Sequence, residues 1–132
     1  MDRLKTPRAR SASGRTGGES EASARTLLVC RDPAEIDAAQ WNALLARRPS
    51  ATPFVSIEYL RALHASGSAV ADTGWAPHFL LLEEAGELAA ACPLYLKEHS
   101  YGEYVFDWAW ADAYRRHGLD YYPKLTGAIP FT

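Results

Sequence analysis

The sequence predicts an α+β fold: a mixed, mostly antiparallel sheet flanked by helices, in the order β-α-α-β-β-α-β. Three observations predict it. A short run of β-compatible apolar residues, TLLVCR at 26–31, is stopped by Asp32-Pro33. Two stretches with apolar residues at helical spacing follow, each behind a capping residue. Two further apolar runs are joined by Glu84-Ala85-Gly86-Glu87, the pattern of a hairpin with glycine in its turn.

The elements follow in chain order. Asp32 caps a helix over residues 33–48, with Pro33 at the first position, where its missing N–H is harmless. Ile36, Trp41, Leu44 and Leu45 share one face of this helix, and Arg47 and Arg48 suit its C-terminal dipole. The run 49–53 breaks the chain with two prolines. Ser56 caps a second helix, IEYLRALHASG, which ends at Gly67, and Phe54 is placed to staple onto Leu60. The hairpin strands cover 75–84 and 87–99. Their apolar runs predict a sheet covered on both faces, with Pro93 at a bulge or edge because it cannot donate to the ladder. Residues 105–117 read as a third helix with Phe106, Trp110, Ala113 and His117 along one stripe, ended by Gly118. YYPKLTGAI then reads as a further strand.

Composition bounds the function. The 132 residues suit one domain, and a hydrophobic fraction of 48% excludes wholesale disorder. Charge is uneven. The first 26 residues carry six basic and three acidic side chains, and the remainder carries eight and thirteen. An acidic folded part argues against nucleic acid, whose phosphates call for clustered Lys and Arg. Residues 1–24, rich in Ser, Gly, Arg and Ala with one Leu, read as a disordered leader, which leaves 25–132 as the folded domain. The longest apolar run, Leu88 to Leu96, falls far short of the roughly 20 residues of a spanning helix, so no transmembrane segment is expected. Cys30 and Cys92 read as two small buried hydrophobes, with no His or Lys close in sequence to activate them. His64, His78, His99 and His117 lack metal-ligand spacing, so no metal site is expected.

The stretch PLYLKEHSYGEYVFDWAWADAYRRHGLDYYPKL…PFT resembles the bacterial FemAB-like family of peptidoglycan biosynthesis and recognition. So do Pro53-Phe54-Val55-Ser56 and TGWAPHFLLLEEAGELAAACPLYLK. The likeness is close over about residues 50–132 and looser over 26–49. It implies a GNAT-like acyltransferase fold and transfer of an acyl or aminoacyl group to an amine, on a cell-wall precursor in the cytoplasm. Members of the family continue past Pro130-Phe131-Thr132. The resemblance therefore implies an N-terminal part, inactive alone, that lacks the glycine loop which holds the pyrophosphate of acyl-CoA. No cofactor site is expected in this chain, although the whole family would use acyl-CoA or an aminoacyl donor.

N-acyl transfer needs a deprotonated amine and a donor for the tetrahedral oxyanion. The residues expected to meet the acceptor are Tyr101, Glu103, Tyr104, Asp107, Trp108, Trp110, Tyr121 and Lys124, with no single catalytic residue identified. Asp107, between Phe106 and Trp108, reads first as an exposed or helix-start carboxylate favoured by the dipole; the rival reading is a carboxyl whose pKa apolar surroundings raise toward a useful range. Asp112 and Arg116 are spaced for an i,i+4 ion pair. The aromatic set Trp108, Trp110, Tyr114, Tyr121 and Tyr122 reads first as core, with a platform for a sugar or peptide as its rival. Two other functional classes compete with an enzyme: a non-catalytic glycan or peptide module, and a truncated fragment whose open sheet edge self-associates.

Overall fold

The computed structural model describes residues 24–130. Residues 1–23 of the expected leader lie outside the described residues, as do Phe131 and Thr132. The α+β class and the order of elements hold. Among the described residues there are six strands, β1 (Arg25–Cys30), β2 (Ala76–Pro77), β3 (Phe79–Glu84), β4 (Glu87–Cys92), β5 (Tyr95–Lys97) and β6 (Lys124–Thr126). The three α-helices are α1 (Ala38–Ala46), α2 (Ile57–Ala65) and α3 (Trp108–Arg116). All strand pairings among them are antiparallel.

The first helix departs from expectation by splitting in two. Asp32 does cap at Pro33, accepting from the Ala34 N–H at 2.9 Å, but only a single 3-10 turn follows, Pro33–Glu35. Ile36 then turns to extended geometry, and Asp37 restarts the helix by accepting from the Gln40 N–H. The break leaves carbonyls that a continuous helix would have used. Arg61 of α2 takes them, donating to Pro33, Ala34 and Ile36 oxygens at 3.0, 3.2 and 2.5 Å. Ser56 caps α2 as expected, accepting from Tyr59 N–H, and Gly67 follows its end at φ +74°. Phe54 meets the ring of Tyr59 edge-on at 5.5 Å.

The hairpin also differs. Its turn is as expected, with Ala85 and Gly86 both at positive φ between paired Glu84 and Glu87. Each arm, however, is divided between two sheets, β1-β3-β4 and β2-β5-β6. Pro93 stands at the division of one arm, where a residue without an N–H interrupts the ladder. His78 bridges it by donating its N–H to Leu94 O at 2.8 Å. The described residues cover the first sheet on one face only. Phe79 and Leu81 point inward, and Leu88 and Ala91 pack toward the core beside α1, while Ala89, Ala90 and Cys92 are exposed. Cys92 is therefore no core residue, and Cys30 is only half-buried. The strand β1 lies at the sheet edge with Leu27, Leu28 and Val29 exposed.

The core lies where the two sheets meet under the helices. Phe79 of β3 and Tyr95 of β5 contact edge-on at 5.5 Å, Trp75 meets Tyr95 at 5.2 Å, and Trp41 of α1 approaches Phe79 at 6.0 Å. Ile57 and Leu60 of α2 complete it. Trp41 also donates its indole N–H to Val55 O at 2.8 Å, so burying it strands no polar group. Trp75 is fully buried, and so is Lys97 at the end of β5.

Candidate functional site

The second sheet, the loop 98–107 and the start of α3 bring together four of the eight residues expected to meet an acceptor. Helix α3 begins at Trp108 rather than 105, with Asp107 at its N-cap position. Residues 100–106 form a turn instead, tied by the Asp107 N–H donating to the Ser100 hydroxyl at 3.2 Å. Strand β6 pairs Lys124 directly with Lys97 of β5. The ammonium of Lys124 thereby reaches two carboxylates of the loop. It donates to Glu103 Oε2 at 2.7 Å and to Asp107 Oδ2. Tyr121 closes the group, its hydroxyl donating to Asp107 Oδ2 at 2.8 Å. The side chains of Glu103, Lys124 and Asp107 are 9%, 15% and 21% exposed, so the group is largely desolvated but still open at Asp107.

Electrostatics overturns the raised-pKa reading of Asp107. The hydrogen bond from Lys124 holds its carboxyl below the ordinary range; the desolvation expected to raise it is the weaker effect, and Tyr121 adds to the lowering. Burial works against the Lys124 ammonium, but Asp107 and Glu103 together outweigh it and its pKa is raised. The Tyr121 phenol is pushed up by burial and by the Asp107 carboxylate. At neutral pH Asp107 is thus a carboxylate beside the Lys124 ammonium, and neither is set to take a proton from an amine.

The other four expected residues lie outside this cluster, in the solvent-facing layer beside it. Tyr101, Tyr104, Trp108 and Trp110 are 62%, 84%, 60% and 65% exposed, which rejects the core reading for Trp108 and Trp110. Phe106 and Trp108 stack at 4.9 Å and 17°, and Tyr101 meets Phe106 at 6.2 Å. No residue of α3 is buried. The helix also carries Asp112 with Arg116, the pair expected from spacing, and with Arg115 at 2.7 Å.

One functional-looking residue is missing from the sequence-based set. Lys97 is fully buried, its ammonium 3.6 Å from the centre of the Trp75 ring and 3.9 Å from Glu103 Oε1. Period-two alternation in Tyr95-Leu96-Lys97 carries the signal, because it puts Lys97 on the inward face with Tyr95.

At the helix starts Asp37 caps α1 and Ser56 caps α2, whose first turn carries Glu58, while Asp107 makes no cap hydrogen bond to α3 and turns its carboxylate to Lys124 and Tyr121 instead. Among the described residues no group of three or more His, Cys, Asp or Glu could hold a metal. An apolar groove of about 230 Å³ between α1 and β4, lined by Trp41, Leu44, Leu45, Arg48 and Pro93, shares no residue with the charge cluster. No helix of the described residues is long and apolar enough to cross a membrane.

Fold and site together define an α+β protein in which one loop and the start of α3 carry both exposed aromatic residues and the carboxylates of a largely desolvated ammonium–carboxylate cluster. Comparison with known families gives this class a name. The model of the FemAB-like family, described as peptidoglycan biosynthesis/recognition, matches residues 32–132, and the chain belongs to that family. No curated protein and no solved structure matches it.

Proposed function

We propose that this chain carries the acceptor-recognition surface of a GNAT-like N-acyltransferase, which moves an acyl or aminoacyl group to an amine of a cell-wall precursor in the cytoplasm. The observation that supports this most is the juxtaposition of exposed Tyr101, Tyr104, Trp108 and Trp110 with a partly open carboxylate at Asp107. Aromatic rings stack on the apolar faces of sugars and on peptide bonds. An ionised Asp107 accepts a hydrogen bond from an ammonium and so orients the amine before transfer. The family's link to peptidoglycan selects the acceptor class. The acyl-CoA or aminoacyl donor is held elsewhere in this reading, since the resemblance places the glycine loop for its pyrophosphate after a later strand of the family.

A second reading, a glycan- or peptide-binding module without chemistry, is favoured by one observation: the salt-bridged Asp107 and Lys124 are both shifted away from neutral pH. One experiment separates the readings. The chain is titrated with a purified muropeptide while tryptophan fluorescence is followed, and then incubated with muropeptide and acyl-CoA while the product is sought by mass spectrometry. Binding without transfer supports an acceptor surface that needs a separate donor site. Transfer by this chain alone overturns the placement of the donor elsewhere. No fluorescence response overturns both readings.

A further inference from the structure

We infer that Lys97 is a positioning residue: its buried ammonium gathers the turn before β2 and the loop 98–107 around one point and thereby shapes the aromatic surface and the seat of Glu103. This deepens the acceptor reading and rests on it only for what the surface binds. A lysine offers three N–H donors and no acceptor. Here one goes to Gly74 O at 3.2 Å and one to Tyr101 O at 2.9 Å. The remaining side of the ammonium faces the Trp75 ring at 3.6 Å and Glu103 Oε1 at 3.9 Å. That carboxylate oxygen is buried and has no hydrogen-bond partner, so Lys97 supplies the nearest countercharge on its side, while Lys124 holds Oε2.

Taking a lysine fully out of water is costly, and such a group persists where its partners are fixed around it. The partners here come from separate places in the chain: residues 74 and 75 before β2, and residues 101 and 103 of the loop. The loop is also tied by Glu103 N–H to Ser100 O at 3.2 Å, by Asp107 N–H to the Ser100 hydroxyl, and by the ring contacts of Tyr101 with His99 and Phe106, while Lys124 fastens its far end to β6; Lys97 alone joins it to the turn before β2 among the described hydrogen bonds. Tyr101, Tyr104 and Phe106, all exposed, ride on this same loop. Burial draws the Lys97 pKa down against the opposing pull of Glu103, and the Lys124 ammonium adds to the lowering, so the fixed acceptors and Glu103 are what the charged form rests on.

Lys97→Met keeps most of the length of the side chain and removes the three donors. Amide hydrogen exchange, read peptide by peptide, is expected to speed up by about tenfold or more across 98–107 while β1, β3 and β4 keep wild-type protection. Exchange in 98–107 equal to wild type overturns the inference, and so does an equal rise across every strand, which marks a merely structural side chain. If the variant does not fold, the wild type decides: with ¹⁵N-labelled lysine, the Lys97 ammonium is expected to give a slowly exchanging proton signal shifted upfield by the Trp75 ring. A fast-exchanging ammonium at the shift of surface lysines overturns the inference. Muropeptide titration tests the acceptor proposal separately, so a failure there leaves the exchange result decisive for Lys97.

Discussion

Replacing Lys124 by methionine tests how the site is held. The change leaves Glu103 and Asp107, 9% and 21% exposed, without the cation that joins them. Tyr121 still donates to Asp107, and Lys97 stands 3.9 Å from Glu103. Removing one partner of a buried ion pair costs about 3–5 kcal/mol, and the partial exposure of Asp107 puts this case near ~3 kcal/mol. At about 4 °C per kcal/mol for a folded domain of this size, the melting temperature falls by roughly 12 °C. Circular dichroism melts of Lys124→Met read this directly. Adding Asp107→Asn is expected to restore part of the loss, since a neutral amide needs no countercharge, while Glu103 keeps the buried Lys97 as its partner. A Lys124→Met protein that melts within about 3 °C of wild type refutes the claim that this ammonium holds the loop to β6.

Two other outcomes follow from the same geometry. Asp107 has a lowered folded pKa, so its contribution is present above the ordinary value of 3.8 and lost as pH falls through the folded value. Urea midpoints are therefore expected to fall below about pH 4, with a shallower fall in Asp107→Asn; equal acid slopes contradict the pairing with Lys124. Gly74 has φ +76°, and a Cβ there would sit 2.3 Å from the His99 ring, whereas Gly67 at φ +74° has open space. Gly67→Ala is expected to cost about 1 kcal/mol for the backbone alone, and Gly74→Ala at least ~1 kcal/mol more, by urea denaturation; equal costs contradict the close approach of His99.

Caps and turns are legible in the sequence because they are local. Ser56 and Asp32 cap where their side chains say they should, Ala85-Gly86 makes the turn, and Gly118 follows the third helix at φ +70°. The split first helix is also written locally, in a second Asp at 37, but the preference of Arg61 for the freed carbonyls comes from 25 to 28 residues away. Periodicity sees neighbours on one element. It does not see that β6 puts Lys124 against an Asp107 lying 17 residues earlier, and so the flanking Phe106 and Trp108 point to the wrong pKa direction. Trp108 and Trp110 read as core for a similar reason: ring content measures how much could be buried, and only the packing decides which rings are.

The central claim is that the acceptor meets the loop and α3 rather than the hydrophobic interior, and the tryptophans test it internally. The sequence holds four: Trp41 and Trp75 are buried, and Trp108 and Trp110 are exposed on α3. Their indole N–H signals in a ¹⁵N correlation spectrum are followed while muropeptide is added. The account predicts that the signals of Trp108 and Trp110 move in proportion to saturation while those of Trp41 and Trp75 hold still. Movement confined to Trp41 and Trp75, or no movement at saturating muropeptide, contradicts it.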